Sequence, residues 1–355
     1  MTSKADIAEV SQGRDFYRAL VLRRQIILVG LALALMFSIC VDLALGPARY
    51  SLGQVLQALI WPSQVEDQVR VVLWQIRMPV ALMAAVVGAS LSIAGVQMQT
   101  ILNNPLASPF TLGISAGAGF GAALALAFGV SLFPFAIEYV IPINAFLMAM
   151  LTALAIYGLS LRQGVTSETI VLLGIALVFI FNALMSLIQF FASQQAVAAV
   201  VFWTMGSLTK ATWPKLWISL SVLLVAAPLL ARRGWALTAM RLGDAKAESM
   251  GIRPRRLRLE VLVIVSLLAS ISVSFVGTIG FIGLVGPHIA RMLLGEDQRF
   301  LLPGAALSGA LILSVGSILS KMVIPGTVIP IGIVTSLVGI PFFLYLILNR
   351  KAASW

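Results

Sequence analysis

The chain has 355 residues, 60% of them hydrophobic and only 10% charged, with a mean hydropathy of +1.03 and a net charge of +11. An ordinary soluble domain carries about 25% charged residues, so this is an integral membrane protein, and its apolar runs leave no room for a soluble catalytic domain. The basic residues are scattered over short loops with no basic-aromatic stripe, which excludes a nucleic-acid role, and the single cysteine, Cys40, excludes an internal disulfide or a multi-cysteine metal site.

Residues 1–25 read as a polar cytoplasmic tail rather than a signal peptide, because bulky Ile39 stands where cleavage before Cys40 would need a small residue. Residues 26–355 then form a single all-α transmembrane domain. Apolar segments long enough for a roughly 30 Å hydrocarbon core read as ten spans: Ile26–Leu45, Met78–Met98, Phe110–Leu132, Tyr139–Leu161, Thr169–Ala192, Leu216–Ala231, Leu259–Gly277, Thr278–Leu294, Leu301–Met322 and Ile329–Leu348. Gly277, Gly280, Gly283 and Gly286 blur the division between the seventh and eighth. Lys and Arg near span ends gather on the cytoplasmic side. With the N-terminus inside, 18 basic residues fall inside and six outside, Arg49 and Arg70 among them; Arg350 and Lys351 put the C-terminus inside as well.

In chain order, Gly113, Gly117 and Gly121 of GISAGAGFG lie four apart, a ridge for close helix packing rather than a nucleotide loop. In the fifth span Asn182, Ser186, Gln189 and Ser193 share one helix face. These polar groups either hydrogen-bond to neighbouring helices or line a water-filled path, since they do not suit lipid. Between Arg232 and Arg258 lie eight basic residues in a loop of their own. There a turn from Thr238 to Leu242 stops at Gly243, and Asp244 caps a second short helix through Met250, closed by Gly251 ahead of Pro254. Such an elbow, displaying Leu242, Ala245 and Met250, is either a solvated loop meeting anionic lipid or a docking surface for a cytoplasmic partner. Arg253, Arg255, Arg256 and Arg258 read as orientation signals under either view.

None of the six lysines follows a glycine, so no phosphate-binding loop of the Walker A type is present. Asp42, Glu138, Glu168 and Glu260 sit at or near span ends, which weakens an ion-coupled carrier without removing it, because sodium can be held by backbone carbonyls. His288 is the one histidine, and alone it makes neither a zinc site nor a triad; packing in the bundle is the expected role.

The stretch RLGDAKAESMGI, together with Arg77–Leu124, Val276–Ala310 and Ile329–Ile347, resembles the FecCD family of permeases, the membrane subunits of type II ABC importers for ferric siderophores, haem and cobalamin. The resemblance covers the chain beyond its N-terminal tail. It implies a cobalamin-permease-like bundle of ten helices and a second permease subunit, a homodimer as the expectation. It further implies two ATP-binding-cassette subunits that bind ATP and Mg, no cofactor in this chain, and a periplasmic binding protein. By position, Leu242, Gly243, Asp244, Ala245, Met250 and Gly251 would couple to the ATPase. Thr166 and Ser167 would form the cytoplasmic gate, and Trp203 and Gly206 the periplasmic one. Asn182, Ser186 and Gln189 would line the path, and Arg77 and Lys321 would receive the binding protein. Val80 stands where the family often carries a second arginine, which leaves the charge pairing at Arg77 open. The resulting expectation is a non-enzymatic subunit carrying a ferric siderophore across a bacterial inner membrane, with haem or cobalamin as alternative cargo. An ion-coupled carrier and a membrane scaffold without transport are the competing classes.

Overall fold

A computed structural model describes residues 4–46, 48, 50–131, 137–163, 165–324 and 326–348. Arg49, Leu132, Arg350 and Lys351 lie outside them. The described residues form helices and no strand: α1 (Lys4–Ala44), α2 (Leu52–Ile60), α3 (Asp67–Val71), α4 (Met78–Ile101), α5 (Ile114–Phe128), α6 (Val140–Gln163), α7 (Ser167–Phe191), α8 (Gln194–Thr204), α9 (Trp213–Arg232), α10 (Gly234–Met240), α11 (Asp244–Ser249), α12 (Pro254–Val276), α13 (Ile282–Leu294), α14 (Gln298–Met322) and α15 (Ile331–Leu348). Each apolar segment predicted from the sequence coincides with one of these. Among the described residues, seven helical runs are long and apolar enough to cross a membrane; α5, α13 and the Ile331–Phe342 stretch of α15 are shorter apolar helices. The blurred seventh and eighth segments separate where α12 stops at Val276, and Gly277, with φ of 75°, begins the break that ends at α13.

One boundary differs from the expectation. The helix of the first span does not begin at residue 26 but runs without interruption from the polar tail, as a single helix of 41 residues. At about 1.5 Å per residue this helix is roughly twice as long as the hydrocarbon core is thick. The change at Ile26 is therefore one of polarity and not of fold.

α4 is the axis of the bundle, buried along nearly its whole length between α12, α13 and α14. Backbone approaches backbone where Gly88 meets Gly309 and Gly95 meets Gly283, so a Cβ at either site would collide with the partner helix. The predicted glycine ridge works the same way: a Cβ at Gly117 would strike Thr152, and one at Gly121 would strike the Asn144 carbonyl, both on α6. Small residues allow such contact where no hydrophobic force draws helices together.

The bundle sorts its loops into two ends. Ion pairs Arg24–Asp297 and Arg241–Glu296, and the Arg258–Asp244 pair beside Ile101 and Val165, gather the basic-rich connections at one end, called here the elbow end. Lys321–Asp42 and the Arg77 contacts with Leu43 and Ala44 belong to the other, the far end. This grouping reproduces the alternation drawn from the charge bias.

Candidate functional site

At the elbow end, α10 and α11 meet at Gly243, whose φ of 92° suits only glycine, and the chain leaves α11 through Gly251 at φ 82°. Ala247 is fully buried and anchors α11 to the bundle, while Leu242, Ala245 and Met250 are exposed on the elbow's outer surface. Two short helices thus form on either side of Gly243, although the first runs over Gly234–Met240, beginning before the expected Thr238–Leu242 turn. The expected cap does not form: Gly243 occupies the N-cap position of α11 and Asp244 caps nothing.

Asp244 has a different partner. Its two carboxylate oxygens accept hydrogen bonds from both terminal nitrogens of Arg258, each at 2.7 Å. The same guanidinium donates to the Ile101 carbonyl at 2.8 Å and to the Val165 carbonyl at 3.3 Å. The Arg258 side chain is 6% exposed and that of Asp244 48%. One buried cation therefore ties the elbow to the end of α4 and to Val165, just ahead of the N-cap of α7. The orientation role read from the sequence for Arg258 gives way to this interior one, because a planar fork of five donors can join three chain segments that no short polar residue would reach. A second tie runs beside it. Arg241 pairs with Glu296, which also takes Arg291 at 3.1 Å, and Arg291 donates to Gln99 of α4 at 2.7 Å. Burial lowers the pKa of Arg241.

The candidate inner gate adjoins this hub. Thr166 caps α7, its hydroxyl accepting from the Thr169 amide at 3.1 Å, and Ser167 begins the helix. They follow directly on Val165, so the Arg258 contact lies one residue from Thr166 and two from Ser167. On α7 itself the stripe turns away from the bundle: Asn182 and Ser186 are exposed, Gln189 is half-buried, and the Ser186 hydroxyl donates to the Asn182 carbonyl at 3.0 Å. Ser193, expected on the same face, lies past the end of α7 and caps α8 instead, its hydroxyl accepting from the Ala196 amide at 3.3 Å. Among the described residues, the side chains of Asn182, Ser186 and Gln189 make no hydrogen bond to a neighbouring helix. The same outer surface of the helix carries Leu172, Phe179 and Phe190, the last 80% exposed.

At the far end, Trp203 and Gly206 sit in a knot of three backbone segments. Ser207 N donates to Val276 O at 2.7 Å, Ile331 N to Gly206 O at 3.0 Å, and Gly332 N to Met205 O at 2.9 Å. Gly206 has φ of 70°, and a Cβ there would lie 2.5 Å from the Thr278 carbonyl. The knot joins α8, α12 and α15. Beside it opens a cavity of about 340 Å³ lined by Phe202, Trp203, Lys210 and Phe275.

Arg77 and Lys321 are brought together on the wall of a second far-end cavity, about 240 Å³, with Ser207 and Thr209. Neither presents its charge to the surface. Arg77 donates to the carbonyls of Leu43 at 2.8 Å, Ala44 at 3.3 Å and Ala48, and lies over the Tyr50 ring. Lys321 bonds to the carboxylate of Asp42 at 2.8 Å, and Asp42 is fully buried. Both cations hold the end of α1. Among the described residues, exposed positive charge at this end belongs instead to Lys210 and Arg70, beside the exposed carboxylates of Glu66, Asp67 and Glu138.

Among the described residues, no group of three His, Cys, Asp or Glu could hold a metal ion. His288 packs edge-on to Phe342 at 6.2 Å. What the arrangement offers is two ends, each a junction of several helices, and an uncharged polar face between them.

Known proteins resemble this chain in sequence and in fold. The family model of the FecCD transport family matches residues 30–349. The hemin transport system permease protein HmuU of Yersinia pestis is 34% identical over 321 residues, 90% of this chain and 96% of its own length. The vitamin B12 import system permease protein BtuC of Serratia proteamaculans is 33% identical over 294 residues, 82% and 87% respectively. A solved structure of an ABC transporter in an inward-facing conformation, assigned to the metal-chelate type, has a TM-score of 0.80 at 31% identity and covers 91% of this chain and 99% of that one.

Proposed function

The chain belongs to the FecCD transport family, and from that premise we propose that it carries a metal chelate, a ferric siderophore, through a pair of identical permease subunits. It is a multi-pass membrane permease of an ABC importer, a transport subunit rather than an enzyme, and works with ATPase subunits and a partner permease. Haem and cobalamin are the alternative cargoes, because relatives at 34% and 33% identity are named for hemin and vitamin B12.

The observation that carries the reading is the Arg258 hub. In this account ATP and Mg bind two partner ATPase subunits, and the exposed Leu242, Ala245 and Met250 seat the elbow in them. Movement of α11 then pulls through Asp244 and Arg258 on the end of α4 and on Val165, and so on the inner gate at Thr166 and Ser167. The elbow end faces the cytoplasm, as its load of arginine supports, and both termini lie there, in a bacterial inner membrane. A periplasmic binding protein docks at the far end over the surface that Arg77 and Lys321 hold in shape, and cargo enters beside Trp203 and Gly206. Exposed α7, with its uncharged stripe of Asn182, Ser186 and Gln189, turns to the axis between two copies of the chain. A surface of that kind lets a large solute pass without holding it tightly.

Co-purification tests the proposal. ATPase subunits should travel with the wild-type chain and be lost when Gly243 or the outward-facing residues of the elbow, Leu242, Ala245 and Met250, are altered. Uptake in proteoliposomes should require ATP. Uptake that persists without ATP and collapses with the ion gradient would establish the carrier instead.

A further inference from the structure

Beside the elbow, an open cavity of about 590 Å³ is lined by Arg232, Arg233, Arg253 and Arg256, with Trp235 and Glu260. Four cations meet one carboxylate. Glu260 pairs with Arg233 at 2.9 Å and with Arg256 at 2.9 Å, while Arg232 and Arg253 are exposed and have no ion pair among the described residues. The pocket lies where the apolar stretch of α9 ends and that of α12 begins, the level of lipid headgroups. Trp235, 64% exposed, is the residue type that settles at that boundary. One turn deeper, Leu229 and Val225 on α9 and Val263 on α12 are exposed. By helical spacing they share a face with Arg233 and Glu260. A basic mouth is thus continuous with an apolar flank.

We propose that this pocket binds the phosphate of an anionic phospholipid, with Arg232 and Arg253 taking the phosphate oxygens and the acyl chains lying along Leu229 and Val263. Free phosphate shares the headgroup chemistry but would gain nothing from the apolar flank, and a zwitterionic lipid brings its own cation into a site already carrying three excess positive charges. Because the pocket reaches Gly251 and Ile252 of the elbow, a lipid seated there braces the joint from the membrane side.

Native mass spectrometry of the full chain, delipidated in detergent and titrated with phosphatidylglycerol, phosphatidylcholine or inorganic phosphate, tests this. Phosphatidylglycerol should be retained at least about tenfold more tightly than phosphatidylcholine, and inorganic phosphate should not displace it. Each arginine near an anionic headgroup is worth about a fivefold change in binding, so Arg232→Gln with Arg253→Gln should weaken phosphatidylglycerol about 25-fold and leave phosphatidylcholine unchanged. The Lys pair at the same positions should retain it, which separates lost charge from lost folding. Equal binding of the two lipids, displacement by phosphate, or unchanged retention by the Gln pair would overturn the proposal. A Gln pair that keeps its lipid but loses the ATPase subunits would instead assign the arginines to an acidic protein surface, leaving the transport reading intact.

Discussion

Asp244→Ala leaves the Arg258 guanidinium in place, 6% exposed, with only the Ile101 and Val165 carbonyls for company. The change removes two charge-assisted hydrogen bonds, each worth roughly 1.5–3 kcal/mol. Half-exposure of Asp244 lowers that value, so the loss is about 2–4 kcal/mol, or about 30- to 700-fold in the equilibrium that holds the elbow on the bundle. The assay is uptake per ATP hydrolysed in proteoliposomes containing the assembled complex. The variant should keep most of its ATPase activity while uptake per ATP falls at least about tenfold. Arg258→Lys, buried away from any partner subunit, should behave alike, because one ammonium cannot reach a carboxylate and two carbonyls together. Exchanging the two residues should not restore coupling, since an aspartate at position 258 would face two carbonyl oxygens. Unchanged uptake per ATP in both single variants would refute the hub.

Lys321→Ala strands the carboxylate of fully buried Asp42; truncating one member of a buried pair costs about 3–5 kcal/mol, so monodisperse protein should largely vanish and return when Asp42→Asn is added. A stable Lys321→Ala chain that fails only to bind the periplasmic receptor would make Lys321 a docking charge after all. Gly206→Ala places a Cβ 2.5 Å from the Thr278 carbonyl at a positive φ and should lower stability by about 1–3 kcal/mol, read as an earlier thermal unfolding midpoint; an unchanged midpoint would mean that the far-end knot is loose. Thr166→Ala removes the cap of α7, a loss of about 1 kcal/mol, and should raise ATP-independent leak of cargo if that helix start forms the inner constriction.

The helices were legible because lipid imposes long apolar runs, and the two ends because most basic residues fall in the connections of one of them. The elbow was legible in Gly243 and Gly251. Reading Arg258 as one arginine among many missed its position: on α12 the buried residues Pro254, Leu257, Val261, Leu262 and Val265 follow helical spacing, and Arg258 falls on their face. A charge on an apolar stripe was the available signal. Arg77 and Lys321 were harder. Their burial depends on α1 and its Asp42 reaching across from positions 275 or more residues distant in the case of Ser317 and Lys321, and no local pattern encodes that. The stripe on α7 was visible as a face, but whether it turned inward or outward was decided by the packing of the other helices.

The most direct test of the central claim places a single cysteine at Leu242 in a Cys40→Ser background and follows its labelling by a membrane-impermeant maleimide. Inside-out vesicles should label, right-side-out vesicles should not, and co-expression of the ATPase subunits should protect the site. Labelling from the periplasmic side, or labelling that the ATPase subunits leave unchanged, would contradict the elbow as the point where force enters the bundle.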